Sequence, residues 1–281
     1  MDIYWLEQIE ADVPAGNQWL SAKETIFLSG LRFAKRRADW RLGRWTAKHA
    51  VAACLGLSTD LHSLGDIEIR AASSGAPEVF LLDQPADIAI SLSHRDRTAL
   101  CTVGHAGTSF GCDLEAIEPR SEAFVADYFT VDERSLIARA PAEEQPLLLA
   151  LLWSGKESAL KALRVGLRLD TRSMCVSPAD GWLQSAGEEC QKLCQVAPAH
   201  NPDGWRPLRV RHCEGRVFGG WWRFQDGLVR TVVSDLPLRT PVAQHRLPAK
   251  KAQVSEKIGG ASRARTDDLL VANEALSQTE L

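Results

Sequence analysis

The sequence predicts an α+β protein made of two similar α+β lobes. Three observations predict it. Helix signals come before strand signals, and the same order then recurs further along the chain. Two capping-box patterns, Ser21-Ala-Lys-Glu24 and Thr130-Val-Asp-Glu133, each open a helix in one of these two runs. The 281 residues are enough for one large domain or two small ones. The lobes are expected over 1–106 and 107–235, joined near 107–115, with a disordered tail over 236–281. Residues do not repeat visibly enough to demonstrate the duplication.

Taken in order, the first helix starts at the Ser21 cap. A second runs over about 36–55 and stops at Gly56. Alternating and β-branched segments then predict strands over 66–72, 79–82, 87–93, 98–103 and 110–115. The Thr130 cap opens a helix over 134–140. Pro146 suits the first turn of a long helix, and Gly166 suits its end. Four more strands are expected over 167–176, 207–214, 216–224 and 228–235. From about Leu236 the chain is polar, charged and broken by Pro and Gly, with at most a frayed helix near 267–276.

Composition excludes several functions. Net charge is −3, so no global basic field argues for nucleic acid. No apolar run approaches the ~20 residues of a membrane span, and the start MDIYWLEQIEADVP lacks a basic-then-apolar leader. Seven cysteines without a CxxC pair are simplest in a reduced, cytoplasmic chain. Cys190, Cys194, His200, His212 and Cys213 are irregularly spaced for zinc, and small buried or surface thiols are the plainer account.

Four patterns bear on chemistry. In GCDLE, 111–115, strand alternation puts Asp113 and Glu115 on one face, about 7 Å apart, with Cys112 and Leu114 on the other. Two carboxylates side by side repel unless a cation or proton joins them, and a hard ion such as Mg²⁺ fits. A solvated strand face is the alternative. In LLWSGKESALKAL, 151–163, Leu149, Trp153, Glu157 and Lys161 fall at steps of four and form one row on a helix. So apolar a helix is largely buried, and its inward charges need partners. In SLSHRD, 91–96, Ser93 and His94 stand at a strand end, as a functional pair or as a turn with a capping serine. A serine hydrolase would need Ser and His on separate elements, which a Ser-His dipeptide does not supply. In KRRADWRLGRWTAK, Arg37, Arg41, Arg44 and Lys48 share a face while Ala47, Val51 and Leu55 point to the core. The stripe suits phosphate, or is a solvated basic face.

The combination, in this order along the chain, resembles the 4′-phosphopantetheinyl transferases of the two-lobed monomeric class, over about 21–176. GCDLE resembles the family's Gly-x-Asp-x-Glu, and WSGKESALK its Trp-x-x-Lys-Glu-x-x-x-Lys. SLSH corresponds to a strand end Asn-x-Ser-His, SGAP (74–77) to a Gly-Lys-Pro turn, and YFTVDE (128–133) to an aromatic-then-acidic stretch. Ala76 replaces a basic residue and Ser91 replaces Asn, and Arg70 or the arginine stripe is expected to compensate.

The resemblance implies a pseudo-twofold arrangement with the active site at the lobe interface. It implies Mg²⁺-dependent transfer of the phosphopantetheine arm of coenzyme A, the substrate, to a serine of an apo acyl- or peptidyl-carrier protein, releasing 3′,5′-ADP. Asp113, Glu115 and Glu157 would hold the metal. Glu157, directly or through a water, would be the general base, and Lys161 would reach a phosphate. Ser93 and His94, with Arg41 or Arg44, would hold the 3′-phosphate, and Gly75 would admit the adenine. Lys156, about 100° round the helix from Glu157, stays outside the site. Phe124, Tyr128 and Phe129 are either a docking edge for the carrier protein or core. The competing readings are a Mg²⁺-dependent phosphohydrolase and a non-catalytic carrier-binding protein with a decayed site.

Overall fold

The alternating segments and capped helices assemble into a mixed α+β structure. The computed structural model describes residues 1–178 and 204–244. The first half of the chain holds β1 (Tyr4–Ile9), α1 (Ala22–Gly30), α2 (Ala34–Leu55), α3 (Leu61–Gly65), β2 (Ile67–Ala71), β3 (Pro77–Leu81), β4 (Gln84–Pro85), β5 (Ile88–Arg95) and β6 (Thr98–His105). The second holds β7 (Phe110–Ala116), α4 (Glu122–Tyr128), α5 (Val131–Arg139), α6 (Gln145–Ala162), β8 (Met174–Pro178), β9 (Arg206–His212), β10 (Val217–Gln225), β11 (Leu228–Ser234) and β12 (Val242–Ala243). Among the described residues no helix is long and apolar enough to cross a membrane.

Three sheets result, in the orders β12-β1-β6-β5, β7-β11-β10-β9-β8 and β2-β3-β4. One core packs α2 against β2, β3, β5 and β6, through Val51, Ile69, Val79, Ile90 and Val103. A second packs α6 on the five-stranded sheet, through Leu152, Trp153, Val176, Val210 and Val229. A third joins the two larger sheets, with Trp5, Leu100, Cys112, Leu114, Trp205 and Val232. The alternation read in GCDLE is thus realised: Cys112 and Leu114 enter this third core.

Both capping boxes form, and each does a second job. The Glu24 carboxylate accepts from the Ser21 N–H at 3.0 Å and from the Ile69 N–H at 3.1 Å, and it pairs with Lys48 Nζ at 2.6 Å. The Glu133 carboxylate accepts from the Thr130 N–H at 2.9 Å and the Val176 N–H at 3.0 Å, and pairs with Lys156 Nζ at 2.8 Å. Each lysine is fully buried and gives its remaining donors to two backbone carbonyls, of Trp19 and Leu64 for Lys48, of Thr171 and Met174 for Lys156. A buried ammonium needs such complete pairing, because an unpaired one would cost several kcal/mol. One α-helix is thereby pinned to one capped helix and one strand, twice in the chain.

Some expectations change. Strand β1 and helix α4 were not anticipated. The stretch expected as a strand over 167–176 begins as 3₁₀ turns at Gly166–Arg168 and Thr171–Ser173, and extends only from Met174. Helix α6 ends at Ala162, and the first left-handed residue beyond it is Arg164, at φ 56°, ahead of Gly166. Leu55 is 39% exposed rather than in the core. Residues 236–244, expected as the start of a tail, instead complete a sheet edge. Val242 donates to Ile3 O, Arg239 N–H to Met1 O, and Ala243 joins the third core. Strand β12 thereby covers the outer edge of β1, which would otherwise present unpaired backbone groups. Residues 245–281, and Cys190, Cys194 and His200, lie outside the described residues. His212 and Cys213 adjoin each other at the end of β9, and no disulfide joins the five described cysteines.

Candidate active site

The site grows from the outer edge of β7. This strand pairs with β11 on one side, so its other edge is open to α6 and β5. Gly111 decides how near α6 comes. A Cβ there would lie 2.0 Å from Ser158 O and 2.9 Å from Lys161 Cβ, so only glycine admits the helix backbone. Two residues on, Asp113 and Glu115 share the face that Gly111 has cleared.

The Trp153–Glu157–Lys161 row then runs antiparallel down that face. Trp153 Nε1 donates to Glu115 Oε1 at 3.1 Å. Lys161 Nζ donates to Asp113 Oδ1 at 2.8 Å and to Cys112 O at 3.1 Å. Glu157 sits between them, half-buried. From β5, Ser93 Oγ donates to Asp113 Oδ1 at 2.8 Å, while Ser91 Oγ accepts the Cys112 N–H at 3.0 Å. Ser91 thus ties β5 to the free edge of β7. His94 is exposed at the end of β5; desolvation lowers its pKa, while the charges of Asp39, Lys161 and Asp113 also act on it.

The electrostatics are those of crowded carboxylates. Burial, then the charge of Asp113, pushes Glu115 up to about 7, against the opposing pull of Arg95 and Arg120. Burial and Asp113 push Glu157 to about 7 as well, against Lys161. Burial alone would lower Lys161, but Asp113 and Glu157 more than offset it and hold the ammonium charged. Two carboxylate oxygens in this cluster, Asp113 Oδ2 and Glu157 Oε1, are buried without a hydrogen-bond partner. Buried anionic oxygens without a donor are costly, and a hard cation takes such oxygens. The donor chemistry therefore suits a divalent ion. Among the described residues, no three His, Cys, Asp or Glu side chains already converge as a metal cluster. Hydrogen bonds from Lys161, Ser93, Trp153 and Arg120 hold the other oxygens of Asp113 and Glu115.

Arg120 was not foreseen. Its Nη2 lies 3.0 Å from Glu115 Oε2 and 3.2 Å from Glu118 Oε1, and Arg95 pairs with Glu118 at 2.6 Å. Nothing local marks Arg120, because only the turn after β7 brings it back onto the strand. Conversely, the arginine stripe does not gather at the acids. Arg41 donates to the carbonyls of Pro14, Ala15 and Gly16 and lies over Trp19. Arg44 lies 3.8 Å from Glu24 and over Trp40. Lys48 is buried on Glu24. Arg70 is held by Glu68 and Asp83, over Phe80. Gly75 takes φ 87° in the turn between β2 and β3. Phe129 is core, at 1% exposure, whereas Tyr128 reaches the surface; Phe124 and Tyr128 pack edge-on to Trp153 at 5.1 and 5.2 Å.

Comparison with known proteins matches residues 109–196 to the family model of the 4′-phosphopantetheinyl transferase superfamily. The match contains β7, α5 and α6, hence every acid of the cluster, and begins after the first half of the chain. Three curated relatives are similar to this chain, each a holo-[acyl-carrier-protein] synthase of Streptococcus agalactiae, from serotype III (strain NEM316), serotype V and serotype Ia. Each is 29% identical over 105 residues, which are 35% of this chain and 88% of the relative. The aligned 105 residues thus cover nearly the whole length of each relative and about a third of this chain.

Proposed function

We propose that this protein transfers the 4′-phosphopantetheine arm of coenzyme A to a serine of an apo acyl- or peptidyl-carrier protein, releasing 3′,5′-ADP. The observation that carries the reading is the docking of the Trp153–Glu157–Lys161 row on Asp113 and Glu115, with two buried carboxylate oxygens left without partners. The family match and the holo-acyl-carrier-protein synthase relatives support it. In this reading the two lobes, 1–106 and 107–235, close on the site from either side.

The reaction is a displacement at phosphorus. The serine oxygen attacks the phosphorus on the pantetheine side, the bond to the bridging oxygen breaks, and 3′,5′-ADP leaves with the electron pair. Lys161 uses two of its three donors on Asp113 and the Cys112 carbonyl, which aims the third outward at a phosphate oxygen. Its charge stabilises the oxygens as negative charge redistributes. Glu157, half-buried between the two anchored ends of the row, takes the serine proton. Ser93 orients Asp113, and Trp153 with Arg120 orients Glu115. Asp113, Glu115 and Glu157 would hold a divalent ion, Mg²⁺ in our reading, which when bound neutralises the pyrophosphate oxygens.

The test is incubation with coenzyme A, Mg²⁺ and an apo-carrier protein, read by intact mass. Transfer adds one phosphopantetheine to the carrier. Consumption of coenzyme A with an unchanged carrier indicates a phosphohydrolase instead, and an inert protein that binds carrier indicates a decayed site.

A further inference from the structure

The arginines expected to meet the coenzyme are held by carbonyls or acids of the first half, as described above. Two others are not. Arg164 and Arg168 follow α6 and face the turn between β2 and β3 across a groove of about 470 Å³, lined by Ser73, Ser74, Arg164, Val165, Arg168 and Leu169. Arg168 Nη2 donates to Ser74 O at 2.7 Å and its Nε to Val165 O at 3.2 Å, so it bridges the two sides. Among the described residues no carboxylate pairs with either guanidinium.

Arg164 is also in an unfavourable conformation. Its φ of 56° is the left-handed region that follows many helices, where glycine is the usual residue. A non-glycine residue there is strained, and such strain persists at functional sites more often than elsewhere. Exposed and without an ion partner, the side chain gives the fold nothing visible in return. The groove begins one turn past Lys161, the candidate phosphate ligand. Helix C-termini carry partial negative charge and repel anions. An anion here must be held by side chains, and Lys161, Arg164 and Arg168 supply three cations within eight residues.

We infer that Arg164 and Arg168 form the cationic wall of a subsite for a phosphate of the coenzyme nucleotide, with Ser73 and Ser74 on the opposite wall and Gly75 keeping that turn tight; this rests on the transfer reading above. The phosphate is either the 3′-phosphate or part of the pyrophosphate. Both are doubly forked acceptors of the kind that arginine matches.

The experiment replaces Arg164 and Arg168 by Ala, singly and together, and adds Arg164→Gly. Affinity for coenzyme A and 3′,5′-ADP is read by calorimetry, and KM by carrier mass gain with coenzyme A or dephospho-coenzyme A. Each Ala substitution should weaken coenzyme A by about tenfold, the size of one charge-assisted contact. The loss should appear in KM rather than in kcat. Arg164→Gly should raise the unfolding midpoint while weakening coenzyme A, since it relieves strain and removes the cation; a purely structural arginine would move both the same way. If the groove holds the 3′-phosphate, wild type and variants converge on dephospho-coenzyme A. If it holds the pyrophosphate, the variants stay weaker on both substrates. Wild-type affinity in every variant, with transfer intact, overturns the subsite and leaves the transfer reading standing. A wild-type protein that binds neither ligand and transfers nothing overturns both.

Discussion

Trp45-Thr-Ala-Lys48 of α2 and Trp153-Ser-Gly-Lys156 of α6 occupy matching positions in the two halves of the chain. Each lysine is buried on the glutamate of a capping box, and each glutamate also holds a strand N–H, of Ile69 or of Val176. The next residue is where the halves part. His49 turns back on its own helix, with Nδ1 3.0 Å from Trp45 O and its ring 4.1 Å from the Trp45 ring. Glu157 instead faces the carboxylates of β7. The strand that α2 packs on, β6, offers Ala99, Cys101 and Val103 where β7 offers Asp113 and Glu115. The two halves therefore share this lysine–glutamate–strand arrangement, and the carboxylate cluster lies beside the second of them.

The comparison can be broken most sharply at the residue that differs. Glu157→Gln is expected to lower the transfer rate about a thousandfold, within the range of a general base, without lowering the unfolding midpoint. His49→Gln, at the matching position, should leave transfer near wild type. Carrier mass gain measures both, and comparable losses in the two variants would remove the asymmetry.

The shared scaffold predicts matched stability losses. Glu24→Gln and Glu133→Gln each strand a fully buried lysine, and each should cost about 3 kcal/mol or more in urea unfolding. Adding Lys48→Met or Lys156→Met to the same variant should recover part of that loss, because the uncompensated charge is gone. A large cost in one half and none in the other would show that the pairs are not equivalent.

Packing gives the next contrast. Gly111→Ala drives a methyl into the backbone of α6 and should cost about 1–3 kcal/mol, with transfer reduced because the row is displaced from the acids. Gly43→Ala, within α2 and with nothing within 4 Å of the added Cβ, should stabilise by about 1 kcal/mol. The smallest effect is expected for Ser93→Ala, which removes one of two donors to Asp113 Oδ1 and leaves Lys161 in place. About a tenfold weakening of transfer, or less, is expected there, the scale of one hydrogen bond to a charged group.

The Trp–Ser/Thr–small–Lys repeat was present in the sequence all along. Four residues recurring once are too few to stand out, and their equivalence shows only when both lysines are seen to pair with capping glutamates. Other features were legible directly. Ser21–Glu24 and Thr130–Glu133 are contacts between residues three apart. The row from Trp153 to Lys161 follows from helical period, and the Asp113–Glu115 face from strand alternation. Each of these depends on a short span of backbone whose geometry is nearly fixed.

Which cations meet which anions was not legible, as the arginines demonstrate. Arg41 and Arg44 shared the right helix face, yet carbonyls at 14–16 and Glu24 hold them. Arg120 and Arg168 had no local signature, and a turn or a groove brought them to Glu115 and Ser74. Likewise β12 looked like tail until the free edge of β1 was there to receive it. The sequence by itself determined the local elements, the faces that they present and the acids on offer, because those follow from backbone periods of two and 3.6 residues. Only the tertiary structure decided the charge partners, because burial and proximity between segments up to hundreds of residues apart set the energy of each pairing.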